Sequence, residues 1–414
     1  MKEKLIELKS LCRDWNLLIL IILFAGLPTQ IWGNEGKETV GRLIAMGFEN
    51  IRLVDTDEER IFTLENVAYK IQEIGIAQAV ETIQKYGLPE SKRCKVIITH
   101  LDIPEMALTY EPIKEDSVGS TQWSASYEVA ESWEKARKEE VKNSSKYKVD
   151  ILIYPQFSFQ NMDITKIYQV MFSLNPTVEF TLWRGMKFSG QVILPLIVDT
   201  EGYAAYSPIY KKVRPGFITL SQKFRLPYNV KGRAVVGMYN LDQYGLDLEL
   251  FRPFKDERFS LQARIGYTGW AYWDGFKCKY NGQYQWTWSV GGNFYWPLYN
   301  VLFSLKAEQY LMGERGVCFE MIRHFRYASV GFYAMKAEDA KSNGGFRFQV
   351  ALPPYKQKRN GYIPRITTSR NMGVKYNAGN ERTYYKQYRA EASDNIMEQN
   401  RFNPIYIESE IRKK

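Results

Sequence analysis

Phe259-Ser260-Leu261-Gln262-Ala263-Arg264-Ile265-Gly266-Tyr267-Thr268-Gly269-Trp270 is the stretch on which the fold turns. Its odd positions through 267 read Phe, Leu, Ala, Ile, Tyr, and its even positions through 268 read Ser, Gln, Arg, Gly, Thr. Successive side chains of a strand point to opposite faces, so this strand has one oily and one wet face. Gln283–Trp296 repeats the pattern, with Tyr284, Trp286, Trp288, Val290, Phe294 and Trp296 set against Gln283, Gln285, Thr287, Ser289 and Asn293. Tyr244, Leu246, Leu248 and Leu250 oppose Gly245, Asp247 and Glu249, and Phe346, Phe348, Val350 and Leu352 oppose Gly345, Arg347, Gln349 and Ala351.

A soluble β-sandwich alternates as well, but its strands run to about five or six residues. Here the runs reach about ten or more, aromatics such as Trp270, Trp296 and Tyr310 stand at their ends, and the alternation lasts roughly 200 residues, as in a transmembrane barrel. Composition agrees: 29 Tyr, 22 Phe and 10 Trp coexist with 25% charged residues and a mean hydropathy of −0.38. The expected fold is therefore mainly β, a transmembrane antiparallel β-barrel over residues 148–355 with a small N-terminal α+β module.

About twelve crossings are expected between 151 and 353, and Met372–Asn377 is able to add a strand pair and make fourteen. An even count returns the chain to its starting side. With the module periplasmic, Arg184–Met186, Pro227–Lys231, Arg252–Glu257, Pro297–Asn300, Phe325–Tyr327 and Pro353–Tyr355 become inner turns. Ile197–Lys212 and Ala271–Gly282 become long outer loops, and residues 356–414 a periplasmic tail. Phase assigns Asp247, Glu249, Arg264, Lys306, Glu308 and Arg347 to the lumen, because Arg or Lys on the lipid face near the midplane costs about 2–4 kcal/mol.

Ahead of the barrel, Lys2, Lys4, Lys9 and Arg13 precede the apolar run Leu17–Leu27, and residues 1–33 read as an export signal peptide. The run is too short for a membrane-spanning helix. The whole chain carries +10, and removing four basic and three acidic residues leaves +9, which makes a polyanion a plausible partner. Residues 34–112 form the module: a helix over Glu38–Gly47, a hairpin of Ile51–Val54 and Arg60–Leu64, a helix over Ile74–Tyr86 and a strand at Lys95–Thr99. Residues 113–147 read as a linker ending in a charged helix, Glu128–Lys142, whose mixed charge marks a solvated face and not a nucleic-acid patch.

The sequence offers little footing for catalytic or metal chemistry. Cys94, Cys278 and Cys318 have no metal-like spacing, and His100 and His324 lack a second ligand nearby, so no metal, cofactor or disulfide framework is expected. An acyl-transfer site would need His324 to meet a serine such as Ser329 or Ser304 and an orienting group. Asp247 and Glu249 share a strand face at a separation suited to glycoside cleavage, yet lumenal carboxylates paired to cations are the ordinary state of such barrels. No catalytic residue is assigned.

Gly47-Phe48-Glu49-Asn50-Ile51-Arg52 and Glu65-Asn66-Val67-Ala68-Tyr69 stand in the module, followed by Leu174-Asn175-Pro176-Thr177-Val178-Glu179-Phe180, Gly185-Met186 and Val213-Arg214. Further on come Gly313-Glu314-Arg315-Gly316, Met321-Ile322-Arg323-His324-Phe325, Gly344-Gly345-Phe346 and Arg401-Phe402-Asn403-Pro404. In these stretches, taken in order, the chain resembles the YjbH family of outer-membrane proteins. The resemblance implies a non-enzymatic envelope protein of Gram-negative bacteria, acting in exopolysaccharide or capsule secretion or assembly. Its implied partners are an anionic polysaccharide, other envelope export proteins and outer-membrane lipid, with no nucleic acid. A barrel that stays plugged and serves as an interaction platform is the alternative, and an outer-membrane hydrolase a third.

Overall fold

A computed structural model describes residues 35–112, 123–160, 169–199, 208–338, 340–378 and 386–412. The expected signal peptide, residues 1–33, lies outside the described residues.

The first sheet is built by α1 (Glu35–Met46), β1 (Phe48–Asp55), β2 (Glu59–Asn66), α2 (Gln72–Tyr86), β3 (Arg93–His100), β4 (Ile103–Tyr110) and β5 (Trp123–Ser126), with α3 (Ala130–Ala136) following. Strand order is β1-β2-β3-β4-β5; β2 and β3 run parallel because α2 crosses over between them, and the other pairs are antiparallel. Leu43, Phe48, Phe62, Leu64, Ile76, Ile83, Val96 and Ile98 fill one core with no exposed surface. The stretch read as linker thus contributes a strand to this sheet, because Trp123 pairs with Tyr110 and packs against its ring at 5.6 Å. The charged stretch is helical only over Ala130–Ala136, where Trp133 and Ala136 turn inward.

The second sheet has fourteen strands. In chain order they are β6 (Val149–Gln160), β7 (Gln169–Trp183), β8 (Met186–Val198), β9 (Arg214–Arg225), β10 (Lys231–Met238), β11 (Gln243–Pro253) and β12 (Phe259–Asp274). There follow β13 (Lys277–Trp296), β14 (Val301–Gln309), β15 (Arg315–His324), β16 (Ala328–Ala337), β17 (Asn343–Ala351), β18 (Arg365–Thr368) and β19 (Asn371–Asn377). From β6 to β17 every neighbour is antiparallel and consecutive in sequence. β18 then pairs in parallel with the start of β6, and two residues later β19 pairs with β17. These two are successive halves of one passage that closes the sheet into a barrel, with the Phe159 and Tyr376 rings stacked at 6.4 Å across the seam.

Phase follows the alternation. Leu246, Ile265, Trp286 and Leu305 are exposed on the outer surface, as a lipid-facing band demands. Two expectations need correction. Ala271–Gly282 is not a loop: β12 and β13 continue as a hairpin past the ends of β11 and β14, turning at Gly275 in the left-handed region (φ 62°). Residues 356–414 are not simply a tail outside the barrel. Residues 356–359 lie against the first sheet, residues 365–377 complete the barrel, residues 386–403 run through its lumen, and α4 (Pro404–Arg412) emerges beside the first sheet again. Parity explains this: the closing passage is a thirteenth crossing, so it leaves the chain at the far rim, and the chain returns through the pore.

Candidate functional site

The lumen is stoppered at the module end by the β3–β4 hairpin. Leu101 and Asp102 take positive φ (54° and 61°), the tight turn that lets His100–Glu105 enter the barrel mouth. Asp102 receives a bidentate pair from Arg52 at 2.6 and 2.8 Å, and its carbonyl accepts from Arg184 Nε of the β7–β8 turn at 3.1 Å. Buried Glu105 meets Lys223 and Lys231 at 3.1 Å each. Burial alone would raise its pKa, but the two ammonium groups outweigh it and hold the carboxyl at about 2. Burial, reinforced by Lys223 and Arg401, keeps His100 well below the usual histidine range and therefore neutral.

The returning tail fills one side of the lumen. At the far rim the Lys386 carbonyl accepts from the Leu311 amide at 3.1 Å. Tyr388 then stacks on Tyr239 at 5.0 Å and 5°, lies under the Arg264 guanidinium at 4.6 Å and donates to Asp247 Oδ2 at 2.6 Å. Gly266 makes this fit: a Cβ there would stand 1.8 Å from the Tyr388 hydroxyl oxygen. Below, Glu391 bridges Lys187 at 2.9 Å and Arg233 at 2.6 Å, and Asp394 meets Arg233 at 2.7 Å. Asp394 also accepts from the amides of Ala390 and Glu391, which curls the tail into a rigid turn. Arg233 is thus shared by Glu249, Glu391 and Asp394. Charge-assisted bonds of this kind, inside a protein, form a latch whose members depend on one another.

The tail ends on the module. Asn403 Oδ1 caps α4 by accepting from Ile405 and Tyr406, Ile407 joins the module core, and Tyr406 donates to Glu73 at 3.1 Å. Burial pushes Glu73 up to about 7, against a smaller opposing effect of the Tyr406 bond.

All six residues assigned to the lumen by phase lie on the inner face. Asp247 is paired with Arg264 at 2.8 Å, and Glu249 with Arg233 at 2.7 Å, so both carboxylates of the glycosidase-like pair are engaged. Lys306 and Arg347 both meet Glu320, at 3.2 and 2.8 Å, and Glu308 stands beside them. His324 Nδ1 is 2.9 Å from Ser329 Oγ, its register partner, while Nε2 has no hydrogen-bond partner among the described residues. Ser304 instead donates to Asn293 at 2.6 Å. Sequence reading missed Tyr388, Glu391 and Asp394 altogether; a glycine in mid-strand at 266 was the available signal, since such a residue marks close approach of another group.

Beside the tail a cavity of about 870 Å³ remains, reaching from His100 at the module mouth to Asn377 at the far rim. The protein is therefore a β-barrel of the outer-membrane type whose lumen is obstructed by its own chain. No family model matches the chain, and no curated protein does. Among solved structures it is similar to OmpTdeltaL8, a loop L8 deletion mutant of OmpT, an outer membrane protein of Vibrio cholerae. Identity is 10%, covering 49% of this chain and 87% of that one, with a TM-score of 0.24.

Proposed function

We propose that this protein is a stoppered outer-membrane barrel that takes part in exopolysaccharide or capsule secretion or assembly, without a catalytic step of its own. The observation that carries the stoppered state is Arg233, held by a barrel carboxylate and two tail carboxylates at once. The polysaccharide role is supported by the resemblance to the YjbH family, and an anionic glycan by the chain's positive charge. The module and α4 lie on the periplasmic side in this reading. The turns at that end, such as Arg184-Gly185 and Phe325–Tyr327, are short, whereas the β12–β13 hairpin projects from the opposite rim.

Planar-bilayer recording of the purified protein should show no steady conductance, and deletion of the gene should reduce surface polysaccharide. A large constitutive pore would overturn the stoppered state; unchanged polysaccharide would overturn the export role. A second reading, an interaction platform that never opens, is favoured by the way α4 is built into the module core through Ile407. Locking the tail to the barrel wall by an engineered disulfide separates the two: secretion lost under oxidising conditions supports export, and secretion retained supports the platform.

A further inference from the structure

The latch occupies one arc of the barrel, and the cavity faces the other. Across that arc Lys306 of β14, Arg347 of β17 and Lys375 of β19 project inward, and Lys386 of the tail faces them. Arg347 and Lys375 are direct register partners, and both lie against the Tyr333 ring, at 5.2 and 5.0 Å. Glu320 serves Lys306 and Arg347 together, and Glu308 is the other carboxylate of the arc. Lys375 makes no hydrogen bond and no ion pair among the described residues, and it stands exposed to the cavity toward the far rim. Among the described residues four cations thus face two carboxylates. Glu320, already shared by Lys306 and Arg347, is the carboxylate that acts on Lys375, so positive charge is left over facing the cavity.

We propose that this arc is a binding site for an anionic glycan that carries carboxylates at intervals along its chain. A lone small anion would be satisfied at Lys375. Here the cations are spread over three strands and the tail, which suits charges repeated along an extended ligand. The cavity's size lies within the range of about 300–1,000 Å³ usual for ligand sites. The tail binds through Glu391 and Asp394 on the latch side and leaves the cationic arc free, so ligand and tail fit in the lumen together. This assignment rests on the polysaccharide reading above, whose own test is secretion.

The test uses the purified full-length protein in detergent and a defined oligogalacturonate, with neutral maltohexaose and inorganic phosphate as comparisons, followed by calorimetry. The oligogalacturonate should bind, more weakly as salt rises. Lys375→Gln should weaken it at least tenfold, and Lys386→Gln in the same chain should weaken it further. Lys212→Gln, on an exposed lysine that pairs with Asp274 away from the arc, should leave it unchanged. Lys375 has no ion pair or hydrogen bond to lose, only its contact with the Tyr333 ring, so its variant should fold, and a melting transition no lower than that of the wild type checks this. Equal binding of maltohexaose, full competition by equimolar phosphate, or wild-type affinity in Lys375→Gln would each overturn the site. Absence of oligogalacturonate binding to the wild-type protein, with secretion lost on deletion of the gene, removes the site alone; binding to the wild-type protein, with secretion unchanged on deletion, removes the export reading alone.

Discussion

The two arcs of the lumen use charge in opposite ways. Along β8, β10, β11 and β12, the cations Lys187, Arg233 and Arg264 are saturated by Glu179, Asp247, Glu249 and the tail's Glu391 and Asp394. Along β14 to β19, Lys306, Arg347 and Lys375 outnumber their carboxylates among the described residues, and no described tail residue pairs with them through a negative charge. The difference teaches that a charged lumen need not be a conduit. One arc spends its charges on holding a piece of chain in place, while the other keeps a surplus facing open space.

The largest expected effect strikes the saturated arc. Arg233→Ala takes from buried Glu391 and from the half-buried Glu249 and Asp394 the partner they share, a loss of up to about 3–5 kcal/mol. The tail should detach, seen as faster hydrogen exchange over residues 386–403 and as channel openings in bilayers; unchanged exchange and a silent bilayer would break the comparison. Gly266→Ala should act in the same direction through sterics alone, because its methyl takes the place of the Tyr388 hydroxyl.

Next comes the face of the strand. Ile265→Arg puts a charge in the lipid band, at about 2–4 kcal/mol, and should impair assembly, whereas Arg264→Ile should insert normally and loosen only the tail. Equal assembly of the two variants, read by heat-modifiable mobility on gels, would refute the phase.

The tail has a further anchor outside both arcs, at Glu73, where Tyr406, Glu410 and Arg326 lie around the carboxyl. Its folded pKa, about 7, is above the ordinary 4.5, so the protonated form is the stabilising one. That contribution is complete below about pH 4.5 and is lost as pH rises through about 7. Between pH 5 and pH 8 it amounts to about 2–3 kcal/mol. Exchange of α4 should accelerate over that range, and Glu73→Gln should remove the dependence; a flat wild-type profile would contradict the burial argument. The smallest loss belongs to the open arc: Lys375→Gln should lower stability by no more than about 0.5 kcal/mol, since only its contact with the Tyr333 ring is given up and removal of a surplus charge acts the other way. A larger loss in thermal melting would mean that this arc, too, is structural.

How much of this was legible depends on which physical rule wrote it. The barrel and its phase were readable from Phe259–Trp270 because lipid and water impose opposite demands on alternate residues. The closing passage was only half readable: Asn371–Asn377 alternates, but β18 is four residues long and its partner is β6, over 200 positions away, and parallel. The β12–β13 tip reads as a loop by its polar content, yet ladder pairing continues to Asp274 and Lys277 because register, not composition, carries a hairpin onward. Residues 386–403 have no period at all. Their meaning lies in distant partners such as Asp247, Arg233 and Gly266, and a single sequence does not display such pairings. Cysteine labelling can report the sidedness of the module. Cys278 is exposed, but Cys94 is fully buried and would resist a maleimide on either side of a membrane, so sidedness of the module is better probed at Ser91→Cys, an exposed position.

The odd crossing that ends the barrel ties it directly to its own stopper. A tail that leaves the last strand at one rim, traverses the ring and is fastened by a helix at the other rim cannot easily be threaded once the ring is shut, and protein chains seldom thread loops. The strands must therefore wrap a segment already in place, with the seam between β6 and β19 as the final stitch. Closure and corking become one event, and no empty ring precedes them. A ring made from a chain ending before residue 386, offered residues 386–414 as a separate peptide, should stay uncorked; recovery of a silent bilayer on adding the peptide would show that the ring admits its thread after closing.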